Sequence, residues 1–503
     1  MHPPPTPLDT LRYRFHNGTN LGSIFVLEKW LFPSMFENTA RGDSELDAVT
    51  ASIEKIGVED TRRRWERHWS SALSDEEIEW LAYTAVITSV RLPVGYFTLG
   101  PRFTKGTPFE GDIASIYVNA WEAVIRLCES LCAVGIGVLL DFHALPGGAN
   151  DQDHGGTSSG KAELWGKRGY LELAKRGVIF MAGEVKRGRV RGCLGIQMCN
   201  EACWGAEGMW EWYEDVVRAV GEVDASLPLY VSDGWDLGKG MEWCKRVNRR
   251  GTGCPVGVAV PKYFCFTDTD KKESPNQIIQ RVGGEMGDVL MGSGDVVEKG
   301  AVQVMVVEWS CVMSAETWGK VREEDRSGLV RRFGRAQSEQ WRKRAGGAYF
   351  WTAKMDWMDG GEWGLFEMVK KGALVAPANL MLDFHQLKEK MERVRLLKDG
   401  KKKVAVDNHV RYWDSVAPKG HFEHWRFEQG WDLGYADASV FYEMRASGAV
   451  EGAKWGADTI GVLELWILKR LRESGQRSAF VWEWEHGFRQ GVSVFEHAVE
   501  DSS

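Results

Sequence analysis

Continuous apolar runs recur along the chain, each followed by a polar or helix-patterned stretch. In the first half they fall at residues 18–28 (GTNLGSIFVLE), 87–95 (ITSVRLPVG), 134–143 (VGIGVLLDFH) and 194–201 (LGIQMCNE). The second half supplies 227–233 (LPLYVSD), 256–264 (VGVAVPKYF), 302–308 (VQVMVVE) and 346–354 (GGAYFWTAK). Hydrophobicity that is continuous rather than alternating suits strands buried on both faces, as in a parallel sheet. The segments between can hold crossover helices; Trp210, Tyr213, Val217 and Val220, for instance, lie near a 3.6-residue period. Eight such units predict an α/β fold of the (β/α)8 TIM-barrel type. A doubly wound sheet gives the same alternation, but no glycine-rich phosphate loop follows the first run.

Composition narrows the class without choosing a function. The chain has 503 residues, 63 Lys+Arg against 71 Asp+Glu for a net charge of −8, 44% hydrophobic and 27% charged residues. These are globular proportions. Length alone allows about three domains, but one barrel can take roughly 250 to 400 residues. Mild acidity argues against a nucleic-acid partner. No stretch approaches the ~18 apolar residues of a membrane span, and the N-terminal residues lack the apolar run of a signal peptide. The nine cysteines include no CxxC pair and no histidine at zinc spacing, so they read as buried reduced thiols. A cytoplasmic location is the resulting expectation. The 24 tryptophans against 12 tyrosines fit either large cores or platforms for flat, partly apolar ligands.

Where the polar residues fall is more telling. Glu28, Arg91, His143, Asn200, Glu201, Tyr263, Glu308 and Trp351 lie at or near the C-terminal ends of the runs, where barrels of this kind assemble their active sites. Glu201 ends the fourth run and Glu308 the seventh, on roughly opposite sides of a barrel mouth. Two carboxyl groups flanking a sugar ring can cleave a glycosidic bond, one donating a proton while the other attacks or activates water. A separation of about 5–5.5 Å would make the reaction retaining, about 6.5–9.5 Å inverting. Sequence leaves that choice open.

The motifs around these residues resemble fungal exo-β-1,3-glucanases of glycoside hydrolase family 5, clan A. The resemblance rests on NLGSIFVLEKWLFPSMFE at 20–37, VRLPVGYF at 90–97, DFHALPGGANDQDHGGTSSG at 141–160, CNEA at 199–202, VVEWS at 306–310 and FWTAKMDW followed by EWGLFEM. It covers about residues 10 to 380. It implies a retaining double displacement, with Glu308 as nucleophile and Glu201 as general acid, then base. It further implies that Asn200 bonds the sugar 2-hydroxyl and that Arg91 and Tyr263 keep Glu308 ionised while Glu201 stays protonated. Glu28, His143 and Asp153 would hold other hydroxyls, and Trp351 would floor the non-reducing-end subsite. Three positions depart from the pattern. Ala202 replaces the proline after the acid/base, and His154 stands where an asparagine is usual. Ala259-Val260-Pro261 replaces an Asp-x-His whose histidine normally helps order the acid/base.

Residues 391–503 read as an aromatic-rich, mainly helical extension behind a catalytic barrel of residues 1–390. Ile460, Leu463, Ile467, Leu468 and Leu471 follow helical spacing, and Trp413, Trp425, Trp431, Trp455, Trp466, Trp482 and Trp484 fall here. A packed helical appendage fits better than a carbohydrate-binding module. A similar tail marks an intracellular branch of these fungal proteins. His421 and His424 near Glu423 make only a weak metal pattern, so neither metal nor other cofactor is expected. Overall the sequence predicts a retaining β-glycosidase acting on a β-glucan, an oligosaccharide or a small β-glucoside. Transglycosylation, action on lipid or aromatic glycosides, and sugar binding without turnover remain alternatives. Trp204, Trp309, Trp357 and Trp363 are the expected further subsite aromatics.

Overall fold

In the computed structural model, which describes residues 3–251, 253–287, 289 and 295–500, eight strands close into a parallel barrel in sequence order. They are β1 (His16–Asn20), β2 (Ser89–Gly95), β3 (Gly137–Ala144), β4 (Cys193–Gln197), β5 (Leu229–Ser232), β6 (Val256–Lys262), β7 (Val304–Trp309) and β8 (Gly347–Phe350). Closure comes from β1 pairing with β8 through His16↔Gly347 to Thr19↔Phe350. Every residue of β2, β3, β4 and β7 is buried, as the unbroken hydrophobicity of their runs requires.

Helices pack around the barrel between successive strands. The main ones are α2 (Glu45–Ser71), α3 (Ala120–Cys132), α4 (Arg168–Lys186), α5 (Met209–Asp224), α6 (Leu237–Arg250), α7 (Pro275–Val282) and α8 (Glu323–Arg344), with a short leading helix α1 (Pro7–Tyr13). Local signals set their starts. Ser44 caps α2 in a reciprocal box with Asp47, and Thr6 caps α1 the same way with Asp9. Val90, Val138, Ile196 and Val258 share one core with Val124, Val178 and Val217 of the surrounding helices.

The first run departs from expectation. Only His16–Asn20 is strand, and the chain from Leu21 to Glu28 is loop with a single bridge, Phe25 to Val94. Ser23 takes φ +64°, a left-handed turn that breaks an extended chain. Glu28 therefore lies eight residues beyond the strand it was expected to end. Two other irregularities sit beside the barrel mouth. The β6–β7 register shifts between Val260 and Pro261, and the β7–β8 register shifts between Val306 and Trp309. Proline cannot donate to a ladder, which confines it to such bulges or edges.

The extension consists of α9 (Phe384–Val416), α10 (His424–Glu443), α11 (Leu463–Ser474) and α12 (Val481–Glu500). Helices α10 and α12 approach until their backbones nearly touch. A Cβ on Gly430 would lie 2.0 Å from Trp484 O, and one on Gly491 2.2 Å from Trp431 O. These helices lie under the N-terminal ends of the strands, opposite the mouth. Phe15 N–H donates to Thr459 O (3.0 Å) and Val462 N–H to Tyr13 O (2.9 Å). Interior barrel residues Leu139, Tyr230, Met305 and Tyr349 join one cluster with Trp431, Trp466 and Phe488 of the extension. A cavity of about 1670 Å³ remains between the two, bordered by Phe15, Lys343, His409, Trp413 and Glu496. Among the described residues no helix is long and apolar enough to cross a membrane.

Candidate active site

Arg91 is the hub of the mouth. It comes from β2, where Val90, Leu92 and Val94 face the helices, so its own side chain turns inward. The guanidinium is fully buried, and its nitrogens meet five acceptors. Nε donates to Gln197 Oε1 (2.8 Å), while Nη1 donates to Asn20 Oδ1 (2.9 Å) and Glu308 Oε1 (2.8 Å). Nη2 donates to Asn200 Oδ1 (2.7 Å) and lies 2.9 Å from Asp141 Oδ2. A guanidinium carries five N–H donors in a fixed fork, so the side chain has no freedom left. A buried arginine so enclosed fixes the positions of β1, β2, β3, β4 and β7 relative to one another.

Glu308 projects into this network from the irregular end of β7. Its neighbour Val307 belongs to the interior cluster, yet Glu308 also reaches inward to Arg91. The bulge thus breaks the two-residue alternation and re-aims the carboxylate, a use of bulges that recurs beside active sites. Tyr263, just past β6, donates its hydroxyl to Glu308 Oε2 (2.9 Å).

Glu201 follows β4 in a loop held by its own backbone. Its φ is +39°, an unfavourable region for a residue with a Cβ. Asn150 of the long loop after β3 supports it, donating Nδ2 to Glu201 O (2.8 Å). The carboxylate meets His154 of the same loop, whose Nε2 is 3.3 Å from Glu201 Oε2. His143 Nδ1 is bound to Asp141 Oδ2 (2.6 Å), which leaves Nε2 facing Asn200 Nδ2 at 3.5 Å. The His143 ring stacks on Trp351 at 6.1 Å and 15°. Gly22 makes room for that indole: a Cβ there would be 2.9 Å from Trp351 Cη2.

Burial pushes the Glu308 carboxyl up to about 7, aided by the charge of Glu201; Arg91 and Tyr263 oppose this without overcoming it. Arg91 has already spent part of its charge on Asp141. For Glu201, burial also pushes upward, but the hydrogen bond and charge of His154 prevail, leaving it below the ordinary value. For His154, burial disfavours the charged ring, yet Glu201 above all, then Glu28 and Glu308, hold its pKa up at about 9. Burial and the charge of Glu201 thus push Glu308 up, while His154 draws Glu201 down.

Of the ten residues singled out in the sequence, the structure gathers nine around the mouth. Glu28 accepts from Trp30 Nε1 (2.8 Å) and is largely buried. Asp153 is the exception: it sits exposed on the turn Asp153–Gly155, and its side chain makes none of the hydrogen bonds or ion pairs described above. Sequence reasoning missed Asn20, Asp141, Gln197 and Asn150, which hold Arg91 and Glu201. It also missed Trp30 and Phe266. These join Tyr263, Trp357 and Trp363 in an aromatic rim, with Trp30–Trp363 at 5.3 Å, Tyr263–Phe266 at 5.5 Å and Trp30–Trp357 at 6.1 Å. Trp309 is buried edge-on against Phe350 at 5.2 Å. Trp204 is exposed, with Lys239 over its ring.

Two carboxylates, one just past β4 and one on β7 of a (β/α)8 barrel, with buried polar side chains and an indole beside them, fit a glycoside hydrolase. Comparison with known proteins agrees. The chain is 31% identical over 482 residues to glucan 1,3-beta-glucosidase 3 of Schizosaccharomyces pombe, covering 95% of this chain and 94% of that protein. It is 30% identical over 515 residues to an uncharacterized glycosyl hydrolase of Saccharomyces cerevisiae, covering 98% and 94%. Residues 395–499 match the family model described as the glucan 1,3-beta-glucosidase 3 C-terminal domain. In fold the chain is similar to rutinosidase from Aspergillus niger, at 17% identity and a TM-score of 0.56 over 73% of this chain and 99% of that one. The chain belongs to glycoside hydrolase family 5, among its exo-β-1,3-glucanase-like members, and is a β-glycosidase.

Proposed function

We propose that the protein is an exo-acting β-1,3-glucosidase that removes glucose units from β-glucans or their oligosaccharides by retaining double displacement. The observation that carries the residue assignment is the clamping of Glu308 by Arg91 and Tyr263 on two different oxygens. A carboxylate fixed this way is aligned for attack on an anomeric carbon and cannot swing aside. Glu201 is then the general acid for the first step and the general base for the second. Asn200 has its amide oxygen committed to Arg91, which leaves its amide N–H groups for the sugar 2-hydroxyl. Glu28 and His143 would take further hydroxyls, with Trp351 beneath the ring. The similarity to a relative named glucan 1,3-beta-glucosidase 3 supports the linkage.

His154 takes a different part from the one its loop position suggested. Paired with Glu201, it shares one proton over the pH range in which Glu308 is ionised. The pair can thus deliver that proton through Glu201 even though the carboxyl alone would have lost it. It supplies the ordering that a histidine at position 261 would otherwise give, where this chain has Pro261. The exposed rim of Trp30, Trp357 and Phe266 favours a flat leaving-side group as a second reading, either another sugar or an apolar aglycone.

Nine cysteines, all free among the described residues, support a reducing, cytoplasmic setting. We read residues 1–390 as the catalytic unit and 391–503 as its extension; α9 runs through the boundary and ties the two together. Hydrolysis of laminari-oligosaccharides, cellobiose, and lipid or flavonoid glucosides tests the reading. Glucose release fastest from β-1,3-linked substrates is expected. Faster cleavage of aglycone glucosides would favour the second reading, and no release above a Glu308→Gln control would refute both.

A further inference from the structure

Far from the mouth, the extension gathers a second set of titratable side chains. His409 on α9, His424 at the start of α10 and Glu483 on α12 bring one ligating atom each to within 4.8 Å of one another. His409 Nε2 lies 3.0 Å and His424 Nδ1 2.9 Å from Glu483 Oε2. Glu483 is fully buried, and its ion-pair partners among the described residues are these two imidazoles, with neither lysine nor arginine. A buried carboxylate without a fixed countercharge is costly. A cation bound by all three side chains removes that cost.

We propose that His409, His424 and Glu483 form a binding site for a divalent transition ion of the zinc type, which pins α9, α10 and α12 together. Two imidazoles and one carboxylate suit zinc, whereas calcium and magnesium prefer oxygen ligands throughout. Zinc–ligand bonds of about 2.0–2.2 Å set neighbouring tetrahedral ligand atoms about 3.3 Å apart, so each imidazole–carboxylate pair, at 3.0 and 2.9 Å, opens only slightly to admit the ion. Each ring then carries its proton on the other nitrogen. On His424 that is Nε2, which faces Asp414 Oδ1 at 3.5 Å, the carboxylate–histidine–metal order that orients ligating rings. Glu483 Oε1 accepts the Glu423 N–H (2.7 Å), which leaves Oε2 to ligate and a fourth position for water.

The surroundings fit a held ion. His409 stacks on Phe427 at 3.9 Å and 17°, and Phe422 stacks on His424 at 5.2 Å and 14°. Trp413 and Trp482, 4.7 Å apart, close another side. Such a shell locks the rings and keeps the dielectric low. His409 also borders the cavity under the barrel, which gives an ion a way in. The weak His421–Glu423–His424 pattern of the sequence is not this cluster: His421 packs on Phe480 and Glu423 pairs with Arg426. The ligand set was invisible there because its members come from three separate helices.

The test uses the full chain, stripped with a chelator and titrated with Zn²⁺ and separately with Co²⁺. One equivalent of Zn²⁺ per chain is expected, together with a rise in melting temperature. The Co²⁺ adduct should show visible bands without thiolate charge transfer, which sets this site apart from the nine cysteines. His424→Asn, at the most exposed ligand, and Glu483→Gln, which keeps size and hydrogen bonding, should each lose the equivalent while retaining the circular dichroism of the metal-free parent. No stoichiometric binding to the parent overturns the site, leaving a hydrogen-bonded pin only. So does an equivalent that survives in both variants, or a thiolate band in the Co²⁺ spectrum.

Discussion

His154 Nε2 lies 3.3 Å from Glu201 Oε2, and this contact decides how the active site holds its protons. On the proposed mechanism, turnover needs Glu308 ionised and one proton on the His154–Glu201 pair. Glu308 loses its proton as pH rises through about 7, so activity should climb there. The pair loses its proton as pH rises through about 9, so activity should fall there. A bell-shaped kcat/KM with its maximum near pH 8 follows, because kcat/KM reports the ionisations of the free enzyme. In His154→Asn the proton must reside on a lone carboxyl, and the alkaline limb should move down by about one unit or more. The check is kcat/KM for an aryl β-glucoside from pH 4 to 10. An unmoved alkaline limb would remove His154 from the proton inventory, whereas a purely structural role would lower the whole curve without shifting it.

The proposed division of labour between the glutamates predicts unequal damage. Glu308→Gln should cost about 10⁴-fold or more in kcat on every substrate, since no covalent intermediate can form. Glu201→Ala should cost about 10²- to 10⁴-fold on substrates with poor leaving groups, and far less in the first step on a dinitrophenyl glucoside. Trapping with a 2-deoxy-2-fluoro glucoside and peptide mapping should place the label on Glu308. A label on Glu201, or equal losses on all leaving groups, would reverse the assignment.

How much of this was readable in the chain depends on the kind of signal. The eight strands were legible because a strand buried on both faces writes an unbroken apolar run, as Val134 to His143 does. β1 was misjudged at its end, since Gly22 and Ser23 turn the chain while its residues stay apolar. The two glutamates were legible from their places at run ends. Arg91's remaining partners were not, although Asp141 precedes His143 by two residues and so shares its inward face. Asn20 and Gln197 reach Arg91 only through closure of the barrel. The pairing of His154 with Glu201 was beyond reach, because it is a 3.3 Å contact between residues on two different loops. Trp309 was expected to line a subsite and is buried, because the bulge that turns Glu308 inward rotates its neighbour away.

A third prediction concerns the indole floor. Gly22→Ala places a Cβ 2.9 Å from Trp351 Cη2, closer than carbon atoms pack, so the ring must tilt. Losing about 1.4 kcal/mol of stacking would reduce kcat/KM about tenfold, mostly through KM. Thermal stability should change little, because Trp351 packs at the mouth. Equal KM in variant and parent for a laminari-oligosaccharide would show that Trp351 does not carry the sugar.

The last prediction links the two halves of the chain. Asp458, fully buried, meets Arg14 Nη1 at 3.4 Å and Arg445 Nε at 2.9 Å. Arg14 leads into β1, so this pair joins the barrel floor to the extension. Burial lowers the Arg14 pKa to about 10, against Asp458 as the chief opposing influence. Asp458→Ala would leave two buried guanidinium groups without their carboxylate, a loss of about 3–5 kcal/mol for a broken buried pair. Because Leu139, Tyr230 and Tyr349 of the barrel share one apolar cluster with Trp466 and Phe488, the cost should fall on the whole molecule. Denaturant unfolding followed by tryptophan fluorescence and by loss of glucosidase activity should show one coincident transition, shifted to lower denaturant in the variant. Two separate transitions, with activity outlasting the extension, would mean that the barrel stands without its floor.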